Sequence, residues 1–102
     1  MVRVITYDEF VGATCKGAVF IYFWAPWSGV VPAFIDQLSN EFDGKVLFLQ
    51  ASTDDNPQFL QTMYVGTIPT ALLLRDGVIV DTLTGYMRKE DYVEALATTF
   101  GV

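Results

Sequence analysis

The apolar positions follow different periods along the chain, and each change of period marks an element. Val2 to Thr6 reads as a short strand. Thr6-Tyr7-Asp8-Glu9 has the form of a capping box, in which a Thr hydroxyl and a Glu side chain each satisfy a free backbone N–H. The helix it opens is expected to carry Tyr7, Phe10 and Val11 on one face and to stop near Gly17. Ala18 to Trp24 (AVFIYFW) is a continuous run of β-branched and aromatic residues, the pattern of a central strand buried on both faces. After a loop at 25–29, Val31, Phe34, Ile35, Leu38 and Phe42 recur at helical spacing. Asp36, Gln37, Asn40 and Glu41 take the opposite side, so an amphipathic helix runs to Asp43-Gly44.

Lys45 to Ala51 reads as a second buried strand, and Ser52 to Pro57 supplies turn residues and a helix cap. A short helix is expected from Pro57 to Tyr64. Thr70–Arg75, the turn Asp76-Gly77 and Val78–Thr84 predict a β-hairpin, because Asp-Gly between strands matches the twist of a tight turn. The last helix, Lys89 to Phe100, turns Tyr92, Val93, Leu96, Ala97 and Phe100 inward. The order β-α-β-α-β-α-β-β-α predicts a three-layer α/β/α fold, a mixed sheet of about five strands with about four helices on its two faces. A chain of 102 residues without linker or repeat forms one domain, residues 1–102.

Composition removes several classes of function. The net charge is −6, with twelve acidic and six scattered basic residues, which argues against a nucleic-acid partner. The longest apolar run, Ala18 to Trp27, is far shorter than the ~20 residues a membrane helix needs. No secretory leader is read ahead of the first strand, so a cytoplasmic protein is expected. Cys15 is the only cysteine and there is no histidine. An intramolecular disulfide, Ser-His and Cys-His catalysis, and the commonest metal ligand are thereby removed. A lone thiol also fits a reducing compartment. Asp54, Asp55 and Asp76 read as turn and cap residues and not as metal ligands, and no cofactor is expected.

The element order and three local stretches resemble the thioredoxin family over essentially the whole chain. Gly17-Ala18 through Phe23-Trp24-Ala25-Pro26-Trp27 is similar to the strand leading into that family's Trp-Cys-Gly-Pro-Cys motif, and Thr67-Ile68-Pro69-Thr70 is similar to its cis-proline loop. Asp55-Asn56-Pro57, Arg75-Asp76-Gly77 and Gly85 stand at matching spacings. The resemblance implies the thioredoxin fold and a substrate groove made by Trp27, Thr67, Ile68, Pro69, Gly85 and Tyr86.

It does not carry the chemistry over. In the family a thiolate attacks a disulfide and a second Cys resolves the mixed intermediate. The motif positions here are Ser28, Gly29, Val30 and Val31, with Ser28 and Val31 at the two cysteines. Tyr22 stands where the family keeps a buried Asp, and Gln50 where it keeps a Lys. From Trp27 to Gly44-Lys45 the chain is about three residues shorter than typical members, close to one ~3.6-residue turn. Either Pro32 matches the family's mid-helix Pro, or it is a new residue in the first turn.

Without a base, Ser28 is expected to be a helix N-cap and not a nucleophile. Cys15 precedes the strand that Ser28 follows, so the two lie about 20 Å apart. It reads as an inert small residue, a surface thiol or an intermolecular disulfide partner. Trp27 and Tyr86 either face solvent or collapse into the shortened site. The expected function is a non-catalytic thioredoxin-like module that holds an extended segment of a partner protein, as a monomer or weak homodimer. The alternatives are an engineered or degenerate variant of an active protein-disulfide oxidoreductase of cell redox homeostasis, a monothiol protein acting through Cys15, and a purely structural subunit.

Overall fold

The apolar run forms the middle of the sheet. In the computed structural model, which describes residues 2–29, 31–62 and 65–102, strand β2 spans Ala18–Trp24. It pairs in parallel with β3 (Leu47–Ser52) and antiparallel with β4 (Thr70–Arg75). With β1 (Arg3–Val4) beside β3 and β5 (Val78–Thr84) beside β4, the order is β1-β3-β2-β4-β5. The helices are α1 (Phe10–Thr14), α2 (Ala33–Glu41), α3 (Gln58–Thr62) and α4 (Lys89–Phe100).

Alternation along β2 divides the core in two, since successive side chains point to opposite faces. Phe20 and Tyr22 join Ile35 and Leu38 of α2 and Tyr92, Leu96 and Phe100 of α4. Val19, Ile21 and Phe23 join Phe10 of α1 and Phe59 of α3 on the other face. The three-layer α/β/α architecture read from the sequence is therefore the one observed. Asp76 and Gly77 both hold positive φ (51° and 84°), the backbone a two-residue hairpin turn requires, and this fixes the β4–β5 register.

Several boundaries differ from expectation. The 6–9 segment opens a 3₁₀ turn, Tyr7–Glu9, ahead of α1. The capping box read at Thr6–Glu9 is present on this turn: the Glu9 carboxylate accepts from the Thr6 N–H (3.0 Å), and from the Thr6 hydroxyl as well (3.1 Å). A turn with three residues rotates the following face, and Val11 ends 75% exposed instead of inward. Ala97 and Leu47 are likewise exposed. The second helix starts at Ala33 with Pro32 as its cap residue, two positions later than the apolar spacing from Val31 indicates. Val30, and the end of the third helix at Tyr64, lie outside the described residues.

Candidate functional site

β2 ends at Trp24, and the chain turns at once through a 3₁₀ segment, Pro26–Ser28. Pro26 suits the first position of such a turn because its fixed φ is already helical and its missing N–H would have no partner. The turn leaves Trp27 68% exposed, and its indole Nε1 donates to Oδ1 of Asp54 at 3.4 Å.

Ser28 is not the N-cap of α2. It is buried, its hydroxyl donates to the Ala25 carbonyl (2.8 Å), and its Oγ accepts from the Ala25 N–H (3.1 Å). The correction has a local cause: the 3₁₀ turn brings residues three apart together, so the hydroxyl bonds back within its own turn. Gly29, at φ 96°, then leads the chain away. Val31 is half-buried against the α2–α4 core.

Two hydrogen bonds tie three loops into one surface. The Tyr86 hydroxyl donates to the Ser28 carbonyl at 2.5 Å, and the Gly85 N–H donates to the Pro69 carbonyl at 2.8 Å. Tyr86 is itself 75% exposed, so both aromatics face solvent and do not fill the shortened site. The Ile68–Pro69 peptide is cis. Pro69 is buried, Ile68 half-buried and Thr67 exposed, and the Thr70 hydroxyl donates to the Thr67 carbonyl. Among the described residues, neither the N–H nor the C=O of Ile68 has a hydrogen-bond partner.

Cys15 is not part of this surface. It is exposed and free, with Sγ 3.5 Å from the Gly12 carbonyl. A Cβ on Gly77 would lie 3.6 Å from its Cα, which places Cys15 beside the hairpin turn. Ala18 pairs with Arg75 and Phe23 with Thr70, so the hairpin turn and Trp27 are at opposite ends of β2. Asp76, in that hairpin turn, accepts from the Gly17 N–H at 2.8 Å. Among the described residues no group of three His, Cys, Asp or Glu side chains is placed to hold a metal. None of the helices described is long and apolar enough to cross a membrane.

Beneath the loops, Tyr22 occupies the core, and Gln50 donates Nε2–H to the Val2 carbonyl at 3.1 Å. Burial pushes the Tyr22 phenol up from its ordinary range, with nearby Tyr86 adding to the shift, and burial raises Tyr92 still further. The folded chain therefore keeps two phenol protons that the unfolded chain begins to lose near pH ~10. Their stabilisation is complete below that pH and is lost as pH climbs towards the raised folded values. Unfolding free energies from guanidinium titrations are expected to be level from pH 8 to about 10 and then to fall, by up to ~1.4 kcal/mol per pH unit for each tyrosine. Tyr92→Phe should flatten that fall, and an alkaline limb unchanged in this variant would contradict the assignment.

Asp54 is the one member of the surface that sequence reasoning set aside as a turn residue. No local signal marks it, because its partner Trp27 is 27 residues away.

Comparison with known proteins agrees with the geometry. The family model described as "Thioredoxin" matches residues 1–98. A thioredoxin of Listeria monocytogenes is 32% identical over 99 residues, covering 94% of this chain and 96% of that protein. A thioredoxin of Staphylococcus epidermidis is 30% identical over 95 residues, covering 90% of this chain and 91% of that one. "Thioredoxin M3, chloroplastic" of rice is 36% identical over 81 residues, covering 76% of this chain and 46% of that protein. By sequence match along nearly its whole length, and by the α/β/α fold with its cis Ile68–Pro69 loop beside Trp27, this chain belongs to the thioredoxin family.

Proposed function

We propose that this protein keeps the thioredoxin fold without thiol–disulfide exchange and acts by holding an extended segment of a partner protein across Trp27, the Thr67–Pro69 loop and Gly85-Tyr86. The observation that carries the reading is the pairing of two exposed aromatics with a buried, fully bonded Ser28 at the position of the first thiol. Two aromatics held open by the Tyr86–Ser28 and Trp27–Asp54 bonds suit recognition, where Trp and Tyr are enriched. The unpartnered Ile68 N–H and C=O offer a segment the main-chain pairing of an added strand. A groove this small buries less than a standard interface, so affinity is modest. Exchange needs two sulfurs at one mouth, and the chain has a single thiol, at the far end of the sheet. Cytoplasmic residence, and a monomeric or weakly dimeric state, belong to the same reading.

The test has two arms. In an insulin-reduction assay with dithiothreitol, the protein is expected to add nothing to the uncatalysed rate, and turnover would overturn the non-redox reading. Peptides selected from a random extended library should bind and shift the resonances of Trp27 and Tyr86. Trp27→Ala should weaken them by about 30-fold, the ~2 kcal/mol of an interface hot spot. Selected peptides that are indifferent to Trp27 would remove the groove from the proposal.

A further inference from the structure

The cations that the described ion pairs leave over gather at one pole of the molecule, where Asp43 and Asp76 lie among them. Three of its six cations are held in ion pairs on the flanks: Arg3 with Glu9 (3.4 Å), Arg88 with Asp91 (3.5 Å) and Lys89 with Glu41 (2.8 Å). The other three, Lys16, Lys45 and Arg75, lie just before β2, just before β3 and at the end of β4. The registers Ala18↔Arg75 and Val19↔Leu47 put all three at the end of the sheet opposite Trp27. The groove end carries Asp54 and Asp55, both exposed, and among the described residues neither has an ion-pair partner. Asp54 is fixed against the edge of Trp27 by the 3.4 Å indole bond, which leaves the indole face to solvent. On the Tyr86 side the nearest cation along the chain, Arg88, is already engaged by Asp91, through its guanidinium and its backbone N–H (3.0 Å).

We infer that the groove selects an extended segment carrying an arginine or lysine, whose charged head lies over the Trp27 ring and beside the Asp54 carboxylate. The inference rests on the groove reading above and adds its specificity. A cation over an exposed indole and an exposed ion pair are each weak alone, but here one side chain makes both at once. The acidic pole, on a chain of net charge −6, also draws basic segments towards it and repels acidic ones.

The experiment uses three short Thr- and Val-rich peptides, identical except for Arg, Gln or Glu at one central position. Each is titrated into the full chain while the Trp27 indole N–H resonance is followed. At low salt (~20 mM) the Arg peptide is expected to bind about ten-fold more tightly than the Glu peptide, with the gap narrowing to about threefold or less at ~300 mM. Asp54→Asn keeps an oxygen for the indole N–H while removing the charge, and it should take away most of the Arg peptide's advantage over the Gln peptide, leaving only the share that the Trp27 ring supplies. Equal binding by all three, with the Trp27 resonance still moving, would overturn the cation preference and leave the groove intact. An Arg preference untouched by Asp54→Asn would overturn the assignment to Asp54. If no peptide, including those selected from the library, moves Trp27 or Tyr86, both the inference and the groove reading fall.

Discussion

Replacing Phe59 with Ala is expected to destabilise the fold by about 3–5 kcal/mol, a large part of the 5–15 kcal/mol that holds a domain of this size together. Phe59 is the buried residue among the five described residues of α3, a run too short to persist by its own hydrogen bonds. Its ring meets Tyr7 (5.2 Å) and Phe10 (5.6 Å) edge-on, and Phe23 at 4.8 Å. It therefore joins the N-terminal turn, α1, α3 and the central strand at one point. Truncation removes that aromatic cluster and leaves a cavity among residues anchored to the sheet, which cannot collapse to fill it. For about 100 residues the loss corresponds to a drop of roughly 15–30 °C in Tm. Guanidinium unfolding followed by tryptophan fluorescence measures it directly. Phe59→Leu, which keeps most of the volume, should cost under about 1.5 kcal/mol. A loss below about 1 kcal/mol in the Ala variant would mean that α3 is not anchored by this ring.

The consequence reaches the groove. Asp54 lies on the segment between β3 and α3, which is also tied down by Asn56: its Oδ1 accepts from the Tyr7 N–H and its Nδ2 donates to the Ser52 carbonyl, both at 3.0 Å. Loss of the Phe59 anchor should loosen this segment and with it the Trp27–Asp54 bond. The Trp27 indole resonance should then broaden before global unfolding begins.

What the sequence made legible, and what it left hidden, follows from the range of each interaction. The β2 strand, the Asp76-Gly77 hairpin and α4 were readable to the residue, because a continuous apolar run, a two-residue turn and a helical period are local signals. The start of α2 was not, since apolar spacing from Val31 continues through residues that precede the helix. The inward face of α1 was displaced by a 3₁₀ turn whose period differs from 3.6. The groove residues could be named from the resemblance, but not whether Trp27 and Tyr86 pointed out or in. That is decided by two contacts remote in sequence, Trp27 to Asp54 and Tyr86 to the Ser28 carbonyl. Only the folded chain brings those partners together.

Restoring both cysteines, as Ser28→Cys with Val31→Cys, is expected to leave insulin reduction at the uncatalysed rate, because the loop around them has changed as well. An efficient exchange site needs a thiolate, and a thiol of ordinary pKa, ~8.5, is only a few per cent ionised at neutral pH. Position 28 lies buried in its own 3₁₀ turn against the Ala25 backbone, away from the N-terminus of α2, which begins at Ala33. Helix-end stabilisation of a thiolate there is thereby removed, and Tyr22 and Gln50 put no charge beneath it. Closure is hindered too. Residues three apart meet when they share a helical turn, but Gly29 (φ 96°, ψ 179°), between positions 28 and 31, is non-helical. Gly29 thus breaks the helical turn that would hold the two Cα atoms at the short separation a disulfide needs. Turnover in the double variant should stay below about a tenth of what a mostly ionised thiol would give, and alkylation at neutral pH should be slow at position 28. Thiol titration after exposure to oxidised glutathione should show the two new sulfhydryls persisting or forming mixed disulfides instead of closing on each other. Rapid insulin turnover by this variant would mean that the loop retains the geometry of a redox site and lacks the sulfurs alone.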